Sequence, residues 1–366
     1  MPPEIELLSD LERVDAGVEA AWRSLAEARG NAFVTPEWFR AWSTHYGADA
    51  QPAVIVASDP GSPPAGVLPL ARQGGTLRFA GANLGYSFAA AGAPVAAALP
   101  AGWRTLVLDN VEAGSSWVRE LLAAQPRRVA ATTMRRAALP RAALPDSFDD
   151  FLAARSRNFR SQVRRKTRAL ENDHGARFRR TERPDELHAD LEAFFRLHEA
   201  RWDARGGSSA RGERVRAFHL DFASAALERG WLRLWLLEVD GHAVAAWYGW
   251  RLGAVYSYYQ AGFDPEWSDR SVGLVLLAHT FRAAIEEGAG VYDLLLGDEA
   301  YKGRFADSER QVETLVVTPA LHPRRVAVAL EAGARRAAGR LPPERRAQLR
   351  AAAGGLLDRL PTGRAR

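Results

Sequence analysis

The chain has 366 residues, of which 47% are hydrophobic and 25% are charged, and it contains no cysteine. This composition is typical of a soluble globular protein, and the length favours two domains over one. The lack of cysteine excludes disulfide bonds, thiolate metal sites and a cysteine nucleophile. No apolar run reaches the roughly 20 residues that span a bilayer, and no signal peptide is recognisable, so we expect a cytoplasmic protein without a membrane span.

The formal net charge is +5, and almost every basic residue is arginine. This bias is typical of an arginine- and alanine-rich coding background and does not indicate DNA binding. Lys166 and Lys302 are the two lysines. Because a lysine supplies a compact, titratable ammonium that arginine does not, both become candidates for a functional role.

The first half of the chain predicts two helices followed by strands. An apolar stripe predicts a helix over residues 11–29, and Thr35 supplies the N-cap of a second helix before Pro36. Further along, strands are predicted at 53–57, 66–71, 76–80, 105–108 and 128–133, with a helix at 116–124.

The second half repeats this order with clearer signals. Helices are predicted at 187–205, 272–287 and 301–308, and strands at 231–239, 243–251, 254–263, 291–296 and 312–317. Antiparallel strands, a crossover helix and a further strand predict an α/β fold with a mixed sheet. We expect a degenerate N-terminal half (1–145), a basic linking helix (146–180), a C-terminal half (181–320) and an Arg/Ala-rich helical tail (321–366).

The two halves differ in the connection between their third and fourth strands. The first half has no strong helix between its third and fourth strands, whereas the second has the helix predicted at 272–287. A phosphate site needs the N-terminus of such a helix. We therefore expect the active site in the second half.

Residues 148–170 predict a single basic helix, in which apolar side chains recur four and seven positions apart and arginines cover the rest. We interpret it as a solvated amphipathic helix that packs on the sheet. The alternative is an arm that binds the phosphates of a cofactor, an RNA or a lipid surface.

The segment 255–310 carries most of the chemistry. An aromatic strand leads into a loop with Arg270 and Gly273, three residues apart, and then directly into a helix. This junction offers free backbone N–H groups at the positive end of a helix dipole. Gly273 would let a pyrophosphate approach the backbone, and Arg270 could pair with it.

Several short motifs in this half resemble a known family. They are Gly-Phe-Asp-Pro-Glu-Trp at 262–267, Ser-Val-Gly at 271–273, Tyr-Asp at 292–293 and Gly-Asp-Glu-Ala-Tyr-Lys at 297–302. In them the chain resembles the CelD/BcsL-type branch of the GNAT acyltransferases, which is close to the Fem peptidyltransferases with their two tandem GNAT-like halves. Residues 33–38 and 66–70 resemble the N-terminal half of that family, so the resemblance covers about residues 10–318.

The resemblance implies a tandem GNAT-like acyl-CoA N-acyltransferase fold and the transfer of an acyl group, acetyl by preference, from acyl-CoA to an amine by direct attack. The acyl-pantetheine arm would lie between strands at 256–262 and 291–297. The family has a small residue where this chain has Val275, whose side chain could crowd a pyrophosphate. The residues implied for cofactor binding are Tyr259, Gln260, Ala261, Arg270, Ser271, Val272, Gly273 and Leu274.

The catalytic candidates follow the second of these strands. Asp298 and Glu299 could act as base for the amine, and Tyr301 could protonate the departing thiolate. Each has a plainer interpretation, since the carboxylates could cap the next helix and the tyrosine could be an aromatic at the edge of the core. The residues expected to bind substrate are Lys302, Asp293, Trp247 and Tyr258. Lys302 could instead form a salt bridge with Asp298 or Glu299.

We expect the acceptor to be a small or polymer-linked amine, with no metal, because no set of histidines and carboxylates stands out. A second hypothesis is Fem-like aminoacyl transfer from a charged tRNA, in which the basic helix binds the RNA. The sequence favours it less, because no aromatic stacking partners are interleaved with those arginines. A third hypothesis is a non-catalytic GNAT-like scaffold.

Overall fold

The structure, a computed structural model, describes residues 3–93, 95–203, 212–297 and 301–339. The strands are, in chain order, β1 (Glu4–Leu8), β2 (Gln51–Ser58), β3 (Pro64–Gln73), β4 (Thr76–Phe79), β5 (Ala91–Gly92), β6 (Thr105–Glu112), β7 (Val129–Ala143), β8 (Arg177–Arg180), β9 (Leu232–Val239), β10 (His242–Leu252), β11 (Val255–Phe263), β12 (Val291–Asp293) and β13 (Ser308–Pro319). The α-helices are α1 (Ala16–Arg29), α2 (Pro36–Tyr46), α3 (Ser116–Ala123), α4 (Phe148–Ala153), α5 (Arg157–His174), α6 (Pro184–Asp203), α7 (Glu213–Glu228), α8 (Val272–Glu286) and α9 (Arg324–Gly339).

The chain forms two compact units. The first draws on the stretches 1–14, 49–137 and 311–366, and the second on 15–48 and 138–310. Helices α1 and α2 therefore belong to the second unit, although they precede the strands of the first. Within the described part of the chain, no helix is both long enough and apolar enough to cross a membrane.

The sheet of the first unit is built from a meander. Strands β1, β2, β3 and β4 pair antiparallel in that order, and β6 then pairs parallel to β4. Among the described residues no α-helix lies between β4 and β6. The sequence prediction that this crossover lacks a long helix is therefore confirmed.

The sheet of the second unit repeats the pattern. Strands β8, β9, β10 and β11 pair antiparallel, and β12 pairs parallel to β11 after the crossover helix α8. Ten of the 15 residues of α8 are buried, because the helix is apolar on most of its surface. Two similar halves with mixed α/β sheets are thus confirmed.

Some local predictions were wrong. The single basic helix expected over 148–170 is two helices, because α4 ends at Ala153 and Ser156 caps a new one by accepting a hydrogen bond from Phe159 N at 3.3 Å. The strand expected at 291–296 ends at Asp293, and the helix expected at 301–308 is a 3-10 turn over Lys302–Arg304. Helix α7 and the strands β1 and β8 were not predicted.

A glycine sets the distance between α6 and the sheet. A Cβ atom at Gly262 of β11 would lie 2.2 Å from the backbone nitrogen of His198 in α6, so only glycine allows this approach. The contact holds the last turn of α6, which carries Arg201, beside the end of β11. This placement matters for the site described next.

Candidate active site

The second unit contains a cleft beside the part of β11 that extends beyond its pairing with β12. Pairing between β11 and β12 stops at Ser257 and Asp293, although β11 continues to Phe263. A cleft of about 220 Å³ lies beyond that point. Its lining includes Gln162, Arg201, Trp247, Tyr258, Ala261, Phe263, Ser268, Tyr301, Arg304 and the residues 271–274. Because β12 itself ends at Asp293, the predicted separation of two strands over 256–262 and 291–297 stays a prediction.

The N-terminus of α8 forms one end of the cleft. Ser271 has a left-handed backbone conformation (φ 61°), and its side chain does not cap the helix. The first helical bond runs from Val275 N to Ser271 O at 3.1 Å. The N–H groups of Val272, Gly273 and Leu274 consequently have no acceptor within the helix, and the helix dipole adds positive potential there.

Two residues of the predicted phosphate loop lie elsewhere than the sequence suggested. The Arg270 side chain is exposed, donates to His174 Nε2 at 3.2 Å and covers the Trp267 ring, so it does not line the cleft. The Val275 side chain is 1% exposed and packs into the core. It is absent from the cleft lining, so its side chain does not extend into the cleft.

Three predicted residues meet in the cleft wall. Trp247 stacks on Tyr258, with ring centroids 5.6 Å apart and an interplanar angle of 15°. The hydroxyls of Tyr258 and Tyr301 are 2.9 Å apart. Because these residues come from β10, β11 and the turn before Lys302, the fold brings together side chains that are up to 54 positions apart.

Lys302 lies behind this wall. Its side chain is buried, donates from Nζ to the carbonyl of Leu296 at 3.0 Å and stands 5.3 Å from the Tyr258 ring centroid. Lys302 is not among the residues that line the cleft. A substrate in the cleft would therefore experience its charge through the tyrosine ring.

Both carboxylate oxygens of Asp293 accept hydrogen bonds from neighbouring protein groups. One carboxylate oxygen accepts from Leu295 N at 2.9 Å, and the other accepts from Arg310 at 3.3 Å. Leu295 adopts a positive φ of 52°, which the aspartate turn supports. Asp293 therefore holds the turn after β12 and does not line the cleft.

A bulge in β11 turns two predicted cofactor residues away from the cleft. Tyr248 pairs with Gln260 and the next residue of β10 pairs with Tyr258, so Tyr259 is the extra residue. The Tyr259 hydroxyl lies 3.4 Å from His219 Nε2, and Gln260 Oε1 lies 3.1 Å from His198 Nε2. Of the three strand residues predicted to bind cofactor, Ala261 alone is in the cleft lining.

Both histidines beside the bulge are neutral at pH 7. Burial lowers the pKa of His198 to about 4 and the pKa of His219 to about 3. His279, which we interpreted from the sequence as a packed histidine, stacks on Phe178 with centroids 4.0 Å apart, and burial lowers its pKa to about 4. The predicted bases Asp298 and Glu299 lie outside the described residues.

Sequence reasoning missed Arg201, the arginine inside the cleft. Its Nη1 donates to the Ala261 carbonyl at 3.1 Å, and its guanidinium also hydrogen-bonds the hydroxyls of Tyr258 and Tyr301. The ring of Phe263 lies 5.3 Å from the guanidinium carbon. Nothing in the local sequence of α6 marks this arginine, because its role depends on the contact at Gly262, 61 positions away.

Helix α5 lies at the mouth of the cleft. Lys166 donates to the carbonyl of Asp269 at 2.6 Å, directly before the loop at Ser271. Arg304 donates to Gln162 at 2.6 Å, and both of these residues line the cleft. Two basic side chains, Lys166 and Arg304, therefore lie close to the mouth.

Among the described residues, no group of three or more histidines or carboxylates is arranged to hold a metal ion.

Residues 157–303 match the family model described as acetyltransferase (GNAT) domain. This region includes the strands β11 and β12, helix α8 and all of the named cleft residues except Arg304. The match is to this region alone and covers less than half of the chain. No sequence among the curated proteins matches the chain.

Solved structures extend the likeness to most of the chain. The crystal structure of FemX gives a TM-score of 0.61 at 11% identity, over 86% of this chain and 98% of that one. The C-terminal domain of a putative lysylphosphatidylglycerol synthetase from Agrobacterium fabrum gives 0.54 at 13% identity, over 87% and 96%. L-PGS from Bacillus licheniformis gives 0.50 at 12% identity, over 81% and 96%.

Identities this low show the fold alone. Together with the repeated strand order of the two units, they confirm the predicted tandem GNAT-like fold and its likeness to Fem proteins. Membership of the CelD/BcsL-type branch stays a prediction.

Proposed function

We propose that the chain is an acyltransferase of the CelD/BcsL type that moves an acyl group, acetyl by preference, from acyl-CoA to an amine in the cytoplasm. One observation carries this proposal. The cleft lies beside β11 beyond its last pair with β12, and residues 271–274 line it at the N-terminus of α8, where the N–H groups of Val272, Gly273 and Leu274 have no acceptor within the helix. A narrow slot of this kind suits a pantetheine arm, and the helix N-terminus suits the pyrophosphate.

The free N–H groups would donate hydrogen bonds to phosphate oxygens without displacing any side chain, because Ser271 does not cap the helix. Gly273 adds space on that side. Lys166 and Arg304 supply positive charge close by. In the slot, backbone N–H groups of β11 would stabilise the thioester oxygen as negative charge develops on it.

The chemical step needs two proton movements. The amine nitrogen attacks the thioester carbonyl, a C–N bond forms, the C–S bond breaks, and the thiolate leaves with a proton. We propose Tyr301 as the acid, because its hydroxyl lies in the cleft in a hydrogen bond with Tyr258. We propose Asp298 or Glu299 as the base that accepts the amine proton, directly or through water.

A mass-spectrometric screen of acyl-CoA donors against a library of amines, with release of free thiol as the readout, tests the function. We expect thiol release that depends on both the amine and the protein. If acyl-CoA binds but no amine is acylated, the proposal of an enzyme is wrong and a binding scaffold is favoured. If acetyl-CoA at millimolar concentration neither binds nor raises the melting temperature, the proposed donor is wrong.

Aminoacyl transfer from a charged tRNA is the second candidate, and helix α5 is the observation that favours it. Arg165 is exposed on this helix, and Arg164 pairs with the exposed Asp149 at 3.0 Å, an ion pair of little strength in water. Reversing both charges, Arg164→Glu with Arg165→Glu, should weaken the binding of a polyanionic donor. A large loss for tRNA with little change for acetyl-CoA would favour this candidate, and unchanged binding of both would make α5 a solvated face.

A further inference from the structure

We infer that Arg201 binds a carboxylate on one of the two substrates, next to the reacting atoms. The inference rests on the proposed function and names a chemical class for the substrate. Arg201 lines the cleft together with Tyr258 and Tyr301. Its guanidinium hydrogen-bonds the hydroxyl of Tyr301, our proposed acid, so a group that binds Arg201 lies beside the site of transfer.

The hydrogen bonds of Arg201 leave it incompletely satisfied. A guanidinium has five N–H donors. Its acceptors in the structure are the carbonyl of Ala261 and the hydroxyls of Tyr258 and Tyr301, all of them uncharged oxygens. The Nε atom is buried and has no acceptor among the residues that the structure describes. A buried donor without a partner is unfavourable, so an additional acceptor would stabilise the site.

Within the described part of the chain, no carboxylate offsets the charge of Arg201. No carboxylate of the described residues forms an ion pair with it, and a buried charge without a counter-charge is strongly unfavourable. Other half-buried arginines of the described residues do have carboxylate partners in contact. They include Arg78 with Asp109, Arg179 with Asp190 and Arg233 with Glu287.

The surroundings suit a planar, mostly apolar substrate that carries one negative group. The guanidinium is flanked by the rings of Trp202 and Phe263, whose centroids lie 5.1 and 5.3 Å from its central carbon. Trp247 and Tyr258, which stack on each other, also line the cleft. A carboxylate fits a guanidinium in two parallel hydrogen bonds, which neutral groups do not offer.

The carboxylate could come from the amine, as in an amino acid, or from the acyl group, as in the CoA thioester of a dicarboxylic acid. Isothermal titration separates the two sources. One arm compares amino acids with their carboxamides in the presence of coenzyme A. The other arm compares succinyl-CoA with butyryl-CoA.

In the unmodified protein, we expect the carboxylate ligand of one comparison to bind about 10- to 100-fold more tightly than its neutral counterpart. This is the range of a charge-assisted pair of hydrogen bonds. Arg201→Gln should abolish this preference and leave the binding of the neutral partner within about two-fold of its original value. Arg196→Gln is the matched control, because it removes the same charge from an exposed position of α6. If Arg201→Gln does not fold, Arg201→Lys is the second variant. It keeps the positive charge but cannot donate two parallel hydrogen bonds, so it should retain part of the preference for the carboxylate ligand.

Three outcomes would overturn the inference. They are equal binding of carboxylate and neutral partner in both arms, a preference that survives Arg201→Gln, and an equal loss for carboxylate and neutral ligands, which would make Arg201 a structural residue. Acetyl-CoA has no carboxylate, so its binding does not depend on the proposed role of Arg201. If acetyl-CoA does not bind, the proposed function is refuted, and the inference that rests on it is refuted too.

Discussion

A negative charge at Ser271 should separate the binding of the donor from the stability of the fold. Ser271 lies directly before the free N–H groups of α8 in a left-handed conformation, and its side chain makes no capping bond. Asparagine and aspartate tolerate this conformation better than other side chains. Ser271→Asp and Ser271→Asn therefore form a matched pair that differs by one charge.

The magnitude follows from the position of the charge. An aspartate at this position would lie roughly 5 Å from a bound pyrophosphate, where two unit charges repel by about 3 kcal/mol at an effective dielectric constant of about 20. Salt and exposure at the mouth of the cleft reduce this figure. We expect coenzyme A to bind about 10- to 100-fold more weakly to Ser271→Asp than to Ser271→Asn.

The unliganded protein should respond in the opposite direction. A carboxylate near a helix N-terminus stabilises the helix by about 0.3–1 kcal/mol, so Ser271→Asp should melt at the same or a higher temperature than Ser271→Asn. Isothermal titration with coenzyme A and thermal melts of both variants measure the two effects. Equal affinities for the two variants would refute the idea that phosphates bind at α8.

Three further predictions concern other parts of the second unit. Tyr301→Phe should lower kcat by about 100-fold or more while the dissociation constant of acetyl-CoA stays within about two-fold, and unchanged turnover would show that this hydroxyl is not the acid. Gly262→Ala should lower the free energy of unfolding in urea by about 2 kcal/mol or more, because its Cβ atom would lie 2.2 Å from the His198 backbone, whereas Gly303→Ala, with no atom within 4 Å, should change it little. The folded-state pKa values of His198 (about 4) and His219 (about 3) lie below the unfolded value of about 6.5. The contribution of each histidine to stability is therefore complete above pH 6.5. As the pH drops below that value, the free energy of unfolding should fall by up to about 1.4 kcal/mol per pH unit for each histidine. Unfolding free energies that are equal at pH 7 and pH 5 would contradict this.

The regular elements of the fold could be predicted from local patterns. Short apolar runs marked the strands of both meanders, and the Asp240-Gly241 turn between β9 and β10 has the positive φ values expected of such a pair. Thr35 caps α2 by accepting a hydrogen bond from Trp38 N at 3.2 Å, as its place before Pro36 predicted. These signals act over a few residues, so a sequence contains them in full.

The errors arose where distant contacts decide the structure. Helix α7 has buried residues at Phe218, Phe222 and Ala226, a regular spacing of four that was present in the sequence and overlooked. By contrast, no pattern marks the bulge at Tyr259, which turns this side chain and the next one away from the cleft.

The candidate site was predicted in its location and only partly in its members. Trp247, Tyr258, Ala261, Tyr301 and the residues 271–274 line the cleft as a set. Arg270 was chosen for its spacing to Gly273, yet its side chain contacts His174 of α5, a contact across 96 positions. Spacing fixes the backbone of a loop, but the direction of a long side chain depends on its tertiary neighbours.

A crystal structure of the protein with a non-hydrolysable acetyl-CoA analogue tests the central claim most directly. We predict pyrophosphate oxygens within hydrogen-bond distance of the N–H groups of Val272, Gly273 and Leu274. We also predict the pantetheine arm between β11 and β12, with the sulfur atom beside the Tyr301 hydroxyl. An analogue bound at another site, or an arm that avoids this cleft, would contradict the assignment of the site.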